Sequence, residues 1–232
     1  MKTKELTIII PVYNEEATMQ QIAYEISHVC NSQNIHHEII FANDGSTDAT
    51  LKNIQETMIH VPEVSYVSFE KNTGKTETIV HALKKASGEK IIIIDGDLQD
   101  DPADIPRIYN KLILYDYVSG WRNNRQDLLT KKLSSTIINF LIRKIFTTTL
   151  HDHNCSIKGF RKNLVQTFTH MKHDDHRFMP IIAHTTGFTI SEIPTNHDKR
   201  YYGISKYGTH GFSRLKNTII SIIRIKKNAS HI

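Results

Sequence analysis

The sequence has few cysteines and no long apolar run. Its two cysteines, Cys30 and Cys155, are too few for a disulfide framework and lack the spacing of metal ligands. No stretch reaches the roughly 18 apolar residues of a membrane span, and the first residues lack the apolar core of a secretory signal. From these absences we expect a cytoplasmic protein with neither a disulfide framework nor a membrane span.

The composition indicates a soluble globular protein. Apolar residues make up 39% and charged residues 23% of the 232 positions, which argues against disorder. No internal repeat or low-complexity linker divides the chain, so we expect one domain over residues 1–211 and a basic amphipathic helix over residues 212–232. The formal charge of +5 favours anionic partners, but the basic residues are dispersed and form no nucleic-acid-binding module. We therefore expect no nucleic-acid partner.

Fourteen histidines raise the question of a metal site, above all the pair His151 and His153 and the group His170, His173 and His176. Stretches rich in histidine that lack a fixed ligand geometry are usually solvated surface. We therefore expect these side chains to be solvated surface, with a metal site as the alternative, and to be available for pH-sensitive contacts.

Short apolar strands alternate with segments of helical periodicity along the first half of the chain. The predicted strands are residues 6–12, 37–42, 64–69 and 90–94, and the predicted helices are residues 14–31, 46–59 and 75–86. Strands that alternate with helices of this length form mostly parallel sheets with right-handed crossovers. In the second half, helices are predicted at residues 104–114, 128–146 and 178–184, with a short strand at 117–119. The sequence therefore predicts an α/β fold with a mostly parallel central sheet flanked by helices.

Each predicted strand of the first half ends in polar residues. The four polar clusters are residues 13–16, 43–46, 71–75 and 95–97. The carboxyl ends of parallel strands meet at one edge of the sheet, which is where open α/β sheets bind ligands. We therefore expect the four clusters to line a single cleft.

Four isoleucines at positions 91–94 are followed by Asp95 and Asp97, with Gly96 between them. Residues two apart in an extended chain point to one side, and glycine lets the backbone bend, so both carboxylates can address one point. Together with a Gln99 oxygen they suit Mg²⁺ or Mn²⁺, which would neutralise a diphosphate leaving group. A solvated acidic turn is the alternative.

Asp44 follows the second predicted strand and can accept hydrogen bonds from a nucleobase or a ribose, while Lys71 and Lys75 can contact phosphates. Turn and cap contacts for Asp44, and a solvated loop for the lysines, are the alternatives. Asp100 and Asp101 are expected to begin the next helix, where negative charge suits the helix dipole.

The motifs IIIPVYNEE, ANDGSTD, KNTGK and DGDLQDDP occur in this order along the chain. With their separations they resemble family 2 glycosyltransferases of the GT-A fold, and the similarity continues through GWRNNR, HDHNCSIKGFRK, HRFMPIIAHTTGF and RYYGISKYG. Within that family the chain looks most like the polyprenyl-phosphate sugar transferases, the group that includes dolichol-phosphate mannose synthase. The resemblance implies a single nucleotide-binding domain with the GT-A fold and a role in cell envelope glycan biosynthesis.

The resemblance also implies roles for individual residues. The nucleotide would be held by Pro11, Tyr13, Glu15, Asp44, Lys75 and Asp95, and the divalent metal by Asp95, Asp97 and Gln99. The acceptor phosphate would bind near Arg122, Arg125, Lys132, Ser135 and Ser205. The catalytic residues would be Asp97, Arg122, Arg200 and Lys206. Arginine and lysine suit such positions because donor and acceptor are both anions.

The implied reaction is inverting transfer of a sugar from a UDP- or GDP-sugar to a polyprenyl phosphate, whose oxygen attacks the anomeric carbon. A phosphate is already ionised at pH 7, so the reaction hardly needs a general base. Asp174 and Asp175 are candidates for the base of a hydroxyl-directed enzyme, with a solvated loop as the alternative. The second hypothesis is a family 2 transferase acting on a glycan or another soluble hydroxyl compound. A non-catalytic nucleotide-binding subunit is the third.

The sequence departs from the family pattern at three points. Asn43 stands where many relatives have aspartate, and Ser156 stands where glycine or aspartate is common. Many relatives also carry transmembrane helices after the catalytic domain, whereas residues 212–232 form a basic amphipathic segment. We expect this segment to bind an anionic membrane peripherally at its inner face. Packing on the domain, or on a second subunit of a homo-oligomer, is the alternative.

Overall fold

The computed structural model describes residues 4–122, 129–196 and 220–227, apart from the side chains of residues 129–135. The strands are β1 (Leu6–Val12), β2 (His37–Asn43), β3 (Val64–Ser68), β4 (Lys90–Ile93), β5 (Tyr117–Arg122), β6 (Lys158–Arg161) and β7 (Ile190–Thr195). The helices are α1 (Met19–Ser32), α2 (Thr50–His60), α3 (Lys75–Lys85), α4 (Asp104–Lys111), α5 (Leu129–Phe146), α6 (Val165–Phe168) and α7 (Met179–Thr185). Residues 220–227 form a further helix, called the C-terminal helix below.

One seven-stranded sheet, in the order β3-β2-β1-β4-β6-β5-β7, organises the described part of the chain. β1 pairs in parallel with β2 and β4, and β2 pairs in parallel with β3. β6 is antiparallel to both β4 and β5, and β5 is parallel to β7. All seven residues of β1 are buried, as expected for a strand covered on both faces. The predicted α/β fold with a mostly parallel sheet is confirmed.

Two helices begin later than the sequence predicts. α1 starts at Met19 rather than at residue 14, because Asn14 adopts the left-handed conformation (φ 51°) and a turn follows it. α2 starts at Thr50 rather than at Ser46. The Ser46 hydroxyl donates instead to the side-chain oxygen of Asn43 (2.5 Å). In both cases the extra residues form loops at the carboxyl edge of the sheet.

The sequence analysis did not identify β6 and β7. β6 is four residues long and contains lysine, glycine and arginine, so it has neither an apolar run nor an alternating pattern. β7 contains Pro194, and proline lowers the strand signal. Both strands depend on long-range pairing that short-range patterns do not reveal.

Three apolar clusters stabilise the fold. One cluster on each face of the sheet packs α1 and α4 on one side and α3 on the other. A third joins Ile142 and Phe146 of α5, Ile181 of α7 and Ile225 of the C-terminal helix. The C-terminal helix is therefore packed on the domain through Ile225. Among the described helices, none combines the length and apolarity that crossing a bilayer requires.

His153 contradicts the expectation that the histidines are exposed. Its side chain is only 1% exposed. Nε2 lies 2.7 Å from Thr148 Oγ1, and Nδ1 lies 3.1 Å from Asn139 Oδ1 on α5, an arrangement that suits a neutral ring. Burial lowers the pKa of His153 to about 4. By contrast, His170 and His173 are exposed, as predicted.

We predict that acidification destabilises the fold through His153. The unfolded chain takes up a proton near pH 6.5 while the native His153 stays neutral to about pH 4, so stability is lost as pH falls between these values. The full contribution is roughly 3 kcal/mol. Urea unfolding between pH 7 and pH 4.5 should show a smaller loss of unfolding free energy for His153→Gln than for the wild type. The exposed control His170→Gln should follow the wild-type curve, and parallel curves for all three proteins would contradict the prediction.

Candidate active site

Side-chain hydrogen bonds join the loops after β1 and β2 at the carboxyl edge of the sheet. The amide of Asn14 donates to Ser46 Oγ (2.9 Å), and the amide of Thr47 donates back to Asn14 Oδ1 (2.8 Å). The amide of Glu15 donates to Thr50 Oγ1 (2.8 Å). These reciprocal contacts hold two of the predicted polar clusters side by side.

Asn43 fits this loop by both donating and accepting. Its side-chain nitrogen donates to Ser68 Oγ (2.9 Å), and its oxygen accepts from the amide and the hydroxyl of Ser46. A carboxylate would lack the donor. Asn43, which departs from the family pattern, therefore makes contacts that suit an amide. Asp44 stays in place beside it.

Asp44 fixes the start of α3. Its carboxylate, 5% exposed, accepts hydrogen bonds from the amides of Thr73 (2.7 Å) and Gly74 (3.0 Å) and from the Thr73 hydroxyl (3.0 Å). Gly45 has φ +69°, and a Cβ there would lie 2.4 Å from the carbonyl carbon of Lys71. The glycine thus permits the close approach of the loop that precedes α3. These contacts are structural, but they hold the loop before α3 and do not cap α2, the helix that follows Asp44.

Lys75, the first residue of α3, reaches the end of β4. Its Nζ lies 2.5 Å from Asp95 Oδ1, and both side chains are about a quarter exposed (26% and 27%). Burial by itself would raise the pKa of Asp95, but Lys75, Lys158 and Arg122 outweigh it and hold that pKa below its usual range. Asp95 is therefore ionised and shares the cleft with a cation.

The loop after β4 carries the other two predicted metal ligands. Asp97 is 6% exposed, and its Oδ1 accepts from the amide of Gln99 (3.2 Å). The turn falls on Gly96 and Asp97, and Leu98 after it is left-handed (φ 59°). Gly96 is also required for packing, because a Cβ there would lie 2.8 Å from Val12 Cγ1.

This donor set suits a hard divalent cation that is shared with a substrate. Asp95, Asp97 and Gln99 lie within five residues and offer carboxylate and amide oxygens, the ligands that Mg²⁺ and Mn²⁺ prefer. No group of three or more His, Cys, Asp or Glu side chains in the described part could hold a metal by itself. An ion here would take its remaining ligands from phosphate oxygens or water.

Arg122 ends β5 and is held by Asp152. Nε and Nη2 of Arg122 donate to the two Asp152 oxygens (2.7 and 3.1 Å), and Nη2 also donates to the Asn154 carbonyl (3.0 Å). The two side chains are 12% and 5% exposed. Although burial favours the neutral guanidine, Asp152 keeps the pKa of Arg122 above its ordinary value. Arg122 is thus a fixed cation within electrostatic range of Asp95.

Lys158 and His176 belong to the same region, and the sequence analysis assigned no catalytic or binding role to either. Lys158 on β6 is 5% exposed, and its Nζ donates to the His176 carbonyl (3.2 Å). His176 Nδ1 lies 2.7 Å from Thr76 Oγ1, next to Lys75. Burial, Lys75 and Lys158 place the pKa of His176 well below its usual range. For Lys158, the sequence signal that could have indicated burial is its place between the apolar residues Ile157 and Phe160.

Two of the acidic expectations change. Asp100 was expected to begin a helix, but α4 begins at Asp104, and Asp100 is buried (2% exposed) where it accepts from Ser156 Oγ (2.8 Å). Asp175, a candidate base, forms an ion pair with Arg224 of the C-terminal helix and accepts from the amide of Lys172 (2.9 Å). Asp100 is thus held by Ser156. The contacts of Asp175 give it a structural role that needs no proton transfer.

The remaining predicted residues are placed as follows. Pro11 is buried inside β1, and Tyr13 and Glu15 are half-buried just beyond its end. Lys132 and Ser135 lie on α5, but their side chains fall outside the described part. Arg125, Arg200, Ser205 and Lys206 lie outside the described residues altogether.

Curated relatives cover nearly the whole chain, and two of them serve as examples. The dodecaprenyl-phosphate galacturonate synthase of Rhizobium johnstonii is 32% identical over 240 residues, which cover 100% of this chain and 71% of that protein. The undecaprenyl-phosphate 4-deoxy-4-formamido-L-arabinose transferase of Salmonella choleraesuis is 32% identical over 225 residues, covering 95% of this chain and 67% of that protein.

Solved structures share the fold at low identity. Glucosyl-3-phosphoglycerate synthase from Mycobacterium tuberculosis, solved with Mn²⁺, UDP and phosphoglyceric acid, superposes with a TM-score of 0.68 at 15% identity, covering 97% of this chain and 78% of that one. A mannosyltransferase from Pyrobaculum calidifontis, solved with GDP-Man and Mn²⁺, gives 0.67 at 17% identity, with coverage of 97% and 65%. These likenesses show a GT-A fold.

The family follows from the sequence relatives and from a family model. The model described as Glycosyl transferase family 2 matches residues 7–169 of the chain. Together with two relatives above 30% identity, this match shows that the chain belongs to glycosyl transferase family 2.

Proposed function

We propose that this protein transfers a sugar, with inversion, from a nucleotide-diphosphate sugar to a polyprenyl phosphate. The observation that carries the proposal is the position of Asp95, which pairs with Lys75 at the start of α3 and lies within electrostatic range of Arg122 at the end of β5. Both curated relatives have a polyprenyl phosphate in their names. The relatives support the lipid acceptor over a soluble hydroxyl acceptor.

On the donor side, the nucleotide would lie over the ends of β1 and β2. Tyr13 and Glu15 are half-buried there, and Asp44 fixes the loop that leads to Lys75. The Lys75 ammonium, at the amino end of an eleven-residue helix, is placed to contact the donor phosphates. Breaking the sugar–phosphate bond leaves negative charge on the diphosphate, and a nearby cation stabilises that charge.

A divalent metal is part of this proposal, with Asp95, Asp97 and Gln99 as its ligands. When bound, the ion neutralises charge on the leaving diphosphate. The two solved structures named above contain Mn²⁺ with UDP or GDP-Man, which supports a divalent ion at the same kind of fold. The oxygen ligands accept either Mg²⁺ or Mn²⁺.

On the acceptor side, Arg122 would orient the lipid phosphate for attack on the anomeric carbon. Its bidentate pair with Asp152 holds the guanidinium plane in one orientation. The attacking phosphate oxygen is already an anion at pH 7, so no side chain has to remove a proton. This agrees with Asp175, whose carboxylate is engaged by Arg224.

We also propose that the acceptor is met at a membrane surface formed by α5 and the C-terminal helix. Six of the ten large apolar side chains exposed in the described part lie on these two helices, namely Ile137, Phe140, Leu141, Ile145, Ile220 and Ile223. Basic residues, including Lys144, Lys226 and Lys227, accompany them. An apolar face with lysines at its border suits an anionic bilayer. The C-terminal helix thus packs on the domain through Ile225 and exposes its other side.

Donor and acceptor can be tested together. Incubation with a short polyprenyl phosphate and labelled UDP- and GDP-sugars should move label into the lipid with only one of the two nucleotides. NMR of the product should show the inverted anomer, because one displacement occurs. Label that enters only soluble glycans, or no acceptor at all, would contradict the proposal.

Asp97→Asn should abolish metal-dependent turnover while the protein stays folded. The amide keeps the shape of the side chain but loses the charge that binds the ion, so we expect a loss of roughly a hundredfold or more. Asp101→Asn in the same acidic stretch is the matched control and should stay close to wild type. Turnover of Asp97→Asn equal to that of the control would remove the metal role.

A double variant, Ile137→Glu with Phe140→Glu, should weaken binding to vesicles that contain phosphatidylglycerol. Both side chains are 51% exposed, so the fold should tolerate the change while the apolar contact with the bilayer is lost. Ile59→Glu on α2, where the side chain is 77% exposed, is the control and should float with the vesicles like the wild type. Failure of the wild type to float would contradict membrane binding.

A further inference from the structure

Lys158 is an ionisable group in the interior of the sheet. It lies on β6, is 5% exposed, and pairs with Ile93 of β4 and Ser119 of β5. Moving an ammonium group out of water is unfavourable unless nearby groups compensate. A buried ammonium group at this position therefore needs nearby groups that favour its charge, and the carboxylate of Asp95 is one of them.

The strand register directs Lys158 toward Asp95. Residues directly opposite in an antiparallel pair point to the same face, so Lys158 shares a face with Ile93. Asp95 lies two residues beyond Ile93, just past the last pair of the β4–β6 ladder. Lys158 and Asp95 lie within electrostatic range of each other.

The Lys158 ammonium is fixed on that face by the turn Asp175–Phe178. Its Nζ donates to the His176 carbonyl at 3.2 Å. His176 is anchored to α3, because its Nδ1 lies 2.7 Å from Thr76 Oγ1. Asp175, its neighbour in the chain, pairs with Arg224. Lys158 therefore donates to a carbonyl that is held from two sides.

The two lysines near Asp95 differ in freedom. Lys75 is 26% exposed at the open edge of the sheet, where a long side chain can swing toward a ligand. Lys158 is enclosed and bound to a carbonyl. Burial and repulsion by Lys75 lower the pKa of Lys158 to about 8, which leaves the ammonium form predominant at pH 7.

We propose that Lys158 is a positioning residue of the donor site, the fixed counter-charge that stays beside Asp95 when Lys75 turns from Asp95 to the donor diphosphate. The proposal rests on the proposed function, since it assumes that a diphosphate enters next to Asp95 and Asp97. The carboxylates of Asp95 and Asp97 repel such an anion, and the ammonium group of Lys158, which stays near Asp95, offsets the repulsion. Lys158 acts through Asp95 and does not itself touch the substrate.

Lys158→Met tests the proposal because nucleotide binding should weaken while the stability of the fold is kept. Titration calorimetry with UDP and with GDP, each with Mn²⁺, should show affinity for the bound nucleotide weakened roughly tenfold or more. Methionine fills a similar volume without a buried charge, so the melting temperature should stay the same or rise. Lys158→Arg, which keeps the charge, should retain affinity within roughly threefold.

Lys90→Met is the matched control. Lys90 lies at the other end of β4, and its Nζ also donates to a carbonyl, that of Tyr109 (3.1 Å). This variant should bind nucleotide like the wild type. Unchanged affinity in Lys158→Met, or a loss of affinity accompanied by an equal loss of stability, would overturn the positioning role. If the wild type binds neither nucleotide, the proposed function fails instead, so the two failures are distinguishable.

Discussion

Because β1, β2 and most of β4 are covered on both faces, ionisable groups can face a ligand only where the chain leaves the sheet. Parallel pairing brings those exits to one edge. Asp44 and Asp95 occupy such exits, one after β2 and the other after β4. The polar cleft is thus a consequence of the apolar strands that precede it.

A short series of contacts then converts these exits into a site. The Asp44 carboxylate accepts from the amides of Thr73 and Gly74 and so fixes where α3 begins. Lys75, the first residue of that helix, consequently meets Asp95 at 2.5 Å. The buried carboxylate that holds the loop before α3 and the cation proposed to meet the donor are therefore parts of one arrangement. A change at Asp44 would reach the phosphate site through the position of α3.

The second half of the chain completes the site from the opposite direction. Antiparallel β6 inserts between β4 and β5, which puts Lys158 beside the end of β4 and brings Arg122 within electrostatic range of Asp95. Arg224 of the C-terminal helix pairs with Asp175, the neighbour of His176, so the helix proposed to meet the membrane contacts the turn that holds Lys158. The donor site and the membrane-facing helices are thus physically connected.

The sequence by itself determined the alternating α/β order, the strands β1 to β4 and the polar residues at their ends, because these depend on local periodicity and on apolar runs. It also identified Asp44, Lys75, Asp95 and Asp97 together, since short motifs at strand ends mark them. Only the tertiary structure decided the roles of Lys158, His176 and Asp152, whose partners are distant in the sequence. β6 and β7 are recognisable only through long-range pairing, and His153 is buried because α5 covers it. Local patterns encode the strands and their polar ends, whereas charge pairing across the sheet exists only once the strands have found their neighbours.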